Sequence, residues 1–188
     1  MIKRRHAATL EKAVAEKLAD ELMVPLCRFV ASTKKYFTSS SCAGRILLLE
    51  LPEGENKKDS RFHFKRHGTV TESEIRSSLG QSSKGELWFK VDPFILHIGC
   101  ADLEDGRVIL AAMKEAGVKR GGIIVAEPGK FIIEFQGSQG LSVPVKKDGT
   151  ILVGEKHLDY LVQRANEKVR KNYRQLERLE AILRKRLG

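Results

Sequence analysis

The chain has 188 residues, 41% of them hydrophobic and 31% charged, which gives it material for a core and excludes a disordered chain. Lys and Arg number 34 against 24 Asp and Glu, and the resulting net charge of +10 points to a polyanionic partner, nucleic acid above all. No apolar run approaches the roughly 18 residues that cross a bilayer. The basic start, Met1 to His6, leads into a charged helical pattern rather than an apolar leader, so a soluble protein kept in the cytoplasm is expected.

In chain order, Leu10, Val14, Leu18 and Leu22 recur every fourth residue and predict an amphipathic helix over 8–24, ended by Pro25. A polar stretch, Ser32 to Cys42, follows. Ile46 to Leu51 reads as a buried strand, Pro52-Glu-Gly54 as a turn, and Arg61 to Lys65 as an alternating strand. Thr71-x-x-Glu74 is a capping-box pattern that starts a short helix. Strands are expected over Glu86 to Lys90 and Phe94 to Ile98. Asp102 caps a helix with the apolar face Leu103, Val108, Leu110, Ala111 and Met113, stopped at Gly117.

Pro128-Gly129 and Asp148-Gly149 mark two hairpins, and Pro144 suits an edge strand. From 155 to 186 one long helix is expected, its stripe of Val162, Ala165, Val169, Leu176, Leu179 and Leu183 interrupted by Asn172. It is expected to dock as a brace, with a monomer or weak dimer as the oligomeric state. Helices and strands mix without strict alternation. The fold class is therefore α+β: a single compact non-Rossmann domain with a 36–153 core, mixed or antiparallel strands and hairpins. No GxGxxG and no P-loop occurs, which leaves a Rossmann dinucleotide site and a nucleotide kinase unwritten.

Three stretches hold the chemistry-bearing residues. The first is Ser39, Ser40, Ser41, Cys42, Gly44 and Arg45, where hydroxyls and backbone amides can surround an anion and Arg45 can pair with a carboxylate or phosphate. A polar loop with an ordinary strand-end salt bridge explains the same residues. The second is His97, a proton acceptor or substrate contact, or else a hydrogen-bonded core histidine. The sole tryptophan, Trp88, is either core or, if exposed beside Lys90, a surface on which a base stacks. The third is Lys119, Arg120 and Gly122, cations beside glycines that let a phosphate approach the backbone, or a helix cap and basic turn.

Cys27, Cys42 and Cys100 are an odd set without CxxC spacing. They fit a reducing compartment and no structural metal. A Cys42-dependent hydrolase lacks a partner base in the sequence.

Taken together, Thr38 to Ile46, Glu86 to Lys90 with Pro93 to His97, Ala116 to Ile123, Gly140 to Pro144 and Ala165-Asn166 resemble the wybutosine-synthesising family. That family methylates N4 of the tricyclic guanosine derivative at tRNA position 37. The resemblance runs from about Tyr36 into the C-terminal helix. It implies a methyltransferase that uses S-adenosylmethionine, acts on tRNA-Phe and has an α+β fold; from the spacing of its cysteines and histidines, no metal is expected. In that frame His97 and Arg45 are catalytic, and Ser39 to Cys42, Gly44, Lys119, Arg120 and Gly122 hold donor or RNA. Two positions depart from the family pattern: Gly121 where serine is usual, and Gln136-Gly137 where Arg-Ser is usual. They leave a non-catalytic RNA-binding paralogue as the alternative.

Overall fold

A computed structural model describes residues 2–52 and 59–188. Its elements form two compact units, each assembled from separated stretches of chain.

The first unit comprises Met1–Ala43, Phe94–Ser138 and Tyr173–Gly188. It contains helix α1 (Ile2–Ala15), α2 (Val24–Ser32) and α4 (Leu103–Glu115), with strands β1 (Phe37–Cys42), β5 (Ile95–Cys100), β6 (Arg120–Glu127) and β7 (Lys130–Gln136). The strands pair antiparallel in the order β1-β5-β7-β6. Alternation turns Leu96, Ile98, Ile133 and Phe135 to one face, where all four are buried with Leu26 and Val30 of α2 and Ile109 and Ala112 of α4. Leu179 and Leu183, from the end of helix α5 (Glu155–Leu187), belong to the same cluster.

The second unit comprises Gly44–Pro93 and Gln139–Asn172, the latter including the first half of α5. Strands β2 (Arg45–Leu51), β3 (Arg61–Arg66), β4 (Glu86–Asp92), β8 (Leu141–Lys147) and β9 (Thr150–Ile151) form an antiparallel sheet ordered β3-β2-β4-β8-β9. Ile46, Leu48, Leu87, Phe89 and Val145 are buried, as are Ile75 and Leu79 of α3 (Glu72–Leu79) and Leu161, Val162 and Ala165 of α5. Thr71 and Glu74 cap α3 reciprocally, as their spacing predicts. At the other end, the buried ammonium of Lys146 donates to the carbonyls of Leu79 (2.9 Å) and Gln81 (2.7 Å), placing a cation where the helix dipole is negative. Pro144 lies beyond the reach of β9, which pairs only with Lys146 and Lys147, so its missing N–H costs no ladder bond to β9.

Three expectations need correction. The N-terminal helix does not run over 8–24: α1 ends at Ala15, Lys17 takes a left-handed φ of 55°, and Leu18 and Leu22 are exposed. Pro25 opens α2 rather than ending a helix, since a first-turn proline gives up an N–H that has no helical partner. The polar stretch before Ala43 is strand β1, paired along its length with β5. The buried face of α4 is Ile109, Ala112 and Met113, while Leu103 and Ala111 point outward. The turn expected at Pro52-Glu-Gly54 falls mostly on residues outside those described.

Candidate active site

Each central strand of the first unit carries one ionisable residue inside an apolar run: His97 in β5 and Glu134 in β7. The register sets them directly opposite one another, and Nε2 of His97 lies 2.9 Å from a carboxylate oxygen of Glu134. Opposed residues of antiparallel strands share a face. The row continues to Ser40 on β1 and to Gly122 on β6. The adjacent row on the same face runs Cys42, Ile95, Gln136 and Arg120. Residues from three distant stretches of sequence therefore meet on the face opposite the hydrophobic cluster.

His97 and Glu134 are partly exposed, with 19% and 27% of their side-chain surfaces accessible. That is open enough to meet a substrate and enclosed enough to keep their geometry. A carboxylate only accepts hydrogen bonds, so the bonded Nε2 is the donor, and in the neutral imidazole Nδ1 then holds the lone pair. An imidazole held this way is oriented to take one proton, and the positive charge that follows is stabilised by Glu134.

The serines divide. Ser39 is the bulged residue of β1, between Thr38 and Ser40, and is exposed. Ser40 lies beside His97. Ser41 is turned to the other side, where it accepts a hydrogen bond from the Cys27 thiol at 3.3 Å. All three edge an open cavity of about 240 Å³ whose other walls come from α1 and the segment after it, including His6, Leu10, Ala13 and Asp20. Asp20 also accepts from the Ala43 amide at 2.6 Å, which ties that segment to the end of β1. Hydroxyls, a carboxylate and apolar carbons around one cavity fit a nucleoside that carries cationic groups.

Lys119 immediately precedes β6 and Arg120 begins it; both are exposed. Gly121 has φ of +118°, and a Cβ there would stand 2.0 Å from the Glu134 carbonyl oxygen. Only glycine lets β6 come that close to the strand bearing Glu134. At Gly122 the space is open.

Two predicted residues belong to the second unit instead. A Cβ on Gly44 would meet the Asp92 carbonyl at 2.7 Å, so Gly44 serves close backbone packing. Arg45 donates through Nε to Asp92 at 3.3 Å and stands over the Phe62 ring, 5.5 Å from its centroid. The residues that sequence reasoning missed are Glu134 and Asp20. Glu134 had a signal, a lone acid within Phe131-Ile-Ile-Glu-Phe135 that mirrors the lone histidine of Phe94-Ile-Leu-His-Ile98. Asp20 had none, because its place depends on a break between two helices.

Cys27, Cys42 and Cys100 carry thiols, not disulfides. Burial pushes the Cys27 thiol up and the Cys100 thiol to about 11, which keeps both protonated and poor nucleophiles at neutral pH.

A family model, Methyltransferase TYW3, matches residues 2–185. The chain belongs to the Methyltransferase TYW3 family. Members of that family are tRNA methyltransferases, and this chain is an enzyme of that class. A relative from Pyrococcus horikoshii, 32% identical over 95% of this chain and 91% of its own length, is named tRNA(Phe) 7-((3-amino-3-carboxypropyl)-4-demethylwyosine(37)-N(4))-methyltransferase 1. A human relative, tRNA wybutosine-synthesizing protein 3 homolog, is 32% identical over 85% of this chain and 62% of its own length. A solved structure from Pyrococcus horikoshii superposes with a TM-score of 0.91 at 32% identity, covering 96% of this chain and 93% of that one. One from Aeropyrum pernix gives 0.74 at 29% identity, covering 88% and 98%. The TYW3 fold is therefore α+β with two antiparallel sheets, as the mixture of elements in the sequence implies. None of its described helices is long and apolar enough to cross a membrane.

Proposed function

We propose that this TYW3 methyltransferase transfers a methyl group from S-adenosylmethionine to N4 of the 4-demethylwyosine-type base at position 37 of tRNA-Phe, in the cytoplasm. The observation that carries the reading is the row Ser40, His97, Glu134 and Gly122 across one sheet face. The names of the archaeal relatives supply the substrate, and the +10 charge suits an RNA.

S-adenosylmethionine, when bound, supplies an activated methyl on a cationic sulfur, which reacts by in-line displacement and leaves as a neutral thioether. The protein's share is alignment and the handling of one proton. The cavity edged by Ser39, Ser40 and Asp20 suits the donor's hydroxyl and cationic groups. His97 Nδ1 accepts the proton that the base nitrogen sheds as it gains the methyl, with Glu134 stabilising the imidazolium. Gly122 leaves room for the base over the row, and Lys119 and Arg120 hold the RNA backbone.

The test is nucleoside mass spectrometry of precursor-bearing tRNA-Phe after incubation with this protein and S-adenosylmethionine. One added methyl on the tricyclic base, lost in His97→Gln, is expected. No gain from folded wild-type protein that still binds the tRNA would turn the reading to a non-catalytic RNA-binding paralogue.

A further inference from the structure

Strand β2 carries leucines on both faces of the second unit's sheet. Ile46, Leu48, Leu87 and Phe89 make the buried side. The opposite side of β2 and β4 presents Leu47, Leu49 and Leu51 against Lys90, Trp88 and Glu86, and beside Leu49 stands Phe62 of β3. An antiparallel sheet with one covered face normally puts polar residues on the other. Here Phe62 is 49% exposed, and Leu49, Leu51 and Trp88 are only partly buried. A half-open apolar surface of this kind marks a binding site.

Its charges identify the occupant. Arg45 and Lys65 stand 5.5 and 5.6 Å from the Phe62 centroid, and Lys90 lies directly across from Leu47. Among the described residues, Asp92 is the one acid lining the cavity of about 350 Å³ edged by Arg45, the leucines, Phe62 and Lys90. Aromatic and aliphatic surface ringed by cations complements a heteroaromatic base with a phosphate attached.

We propose that this face is a stacking platform for an unpaired nucleotide of the RNA substrate. The base lies on Leu49 and Phe62, and the phosphate is held by Arg45, Lys65 and Lys90. The assignment rests on the RNA substrate of the proposed function, yet it concerns residues outside the His97 row and adds a second point of contact on the tRNA. It also accounts for Leu49 and Leu51, which stay half-open on the outer side of β2 beyond the buried Leu47.

Trp88 is the only tryptophan and shares this face with Leu49, so its emission reports on the platform. The full chain is titrated with a short single-stranded RNA of mixed sequence, with a duplex of the same composition, and with S-adenosylhomocysteine. The single strand should quench Trp88 and the duplex should quench it far less. Phe62→Ala should weaken single-strand binding about tenfold, the size of one lost base stack. Lys90→Gln should lower the salt dependence by about one phosphate contact. Circular dichroism confirms that each variant is folded, and Lys90→Gln carries the test if Phe62→Ala is not.

Equal losses for single strand and duplex, or none in either variant, would overturn the platform. Quenching by S-adenosylhomocysteine alone would overturn it in favour of a donor pocket. The methyl-transfer assay is run in parallel. Quenching by RNA without methyl transfer defeats the proposed reaction and leaves the platform standing, while methyl transfer with unquenched Trp88 does the reverse.

Discussion

The outer faces of the two sheets differ as chemistry differs from contact. In the first unit the face opposite the core carries Ser40, His97, Glu134 and Gly122, groups that form hydrogen bonds or leave space. In the second it carries Leu49, Trp88 and Phe62 with cations around them. Strand alternation alone produces this difference, because a residue's parity along the strand decides whether it faces the core or the outer side.

Substitution at the dyad tests the chemical half of that contrast hardest. His97→Gln removes the proton acceptor and should cut the single-turnover rate of methyl transfer by 10²-fold or more, in the range of a lost general base. Glu134→Gln should cost less, because it keeps a partner for the imidazole but loses the charge. Equal activity in both variants would strip the first face of its catalytic role.

The backbone beneath the dyad comes next. Gly121→Ser restores the residue usual in the family, yet its Cβ would collide with the Glu134 carbonyl and take a φ unfavourable to side chains. A loss of about 2 kcal/mol or more in urea denaturation is expected. Gly122→Ala, with open space at its Cβ, should lose less.

In the second unit the largest electrostatic effect lies beside the platform. Burial pushes the Glu50 carboxyl up, but hydrogen bonds from His63 (2.5 Å) and from the amides of Gly85 and Lys84 outweigh it and hold the group down to about 2. Its folded value lies below its unfolded one of 4.5, so its contribution is complete above about pH 4.5 and is lost as pH falls towards 2. Glu50→Gln should therefore lower stability at pH 7 by about 1–3 kcal/mol and flatten the acid limb of a melting-temperature profile. A limb as steep as that of the wild type would remove Glu50 as its cause.

The smallest effect concerns the thiols. Iodoacetamide at neutral pH should leave Cys27 and Cys100 unlabelled over hours in the folded chain, since both are buried with raised pKa values. Rapid labelling of either would mean that the core of the first unit opens readily.

Much of this architecture was legible in the sequence where a local rule had a local cause. The capping box of Thr71 and Glu74, the hairpins at Gly129 and Gly149, the strands around Leu48, Trp88 and Ile98, and the buried stripe of α5 all follow from residue spacing. Strand β1 was not legible, because Thr38 to Ser41 has no apolar alternation and its pairing with β5 supplies what its propensity lacks. The face of α4 was misread, since Leu103 to Met113 offers two apolar stripes and only the sheet beneath selects Ile109 and Ala112. At the candidate site, the family motifs pointed to His97 and the serines. The carboxylate that orients His97 lies 37 residues away, and only strand register joins them.

The order in which the chain is made gives α5 a further significance. Residues Glu155–Asn172 complete one unit and Tyr173–Leu187 the other, so neither interior is whole until this helix has left the ribosome. Synthesis cannot finish one unit and then begin the next, as it does for domains strung end to end. The nascent protein must wait, with apolar strands already made, until this helix has emerged. A ribosome stalled before that point would hold two unfinished cores at once, an obvious client for a chaperone.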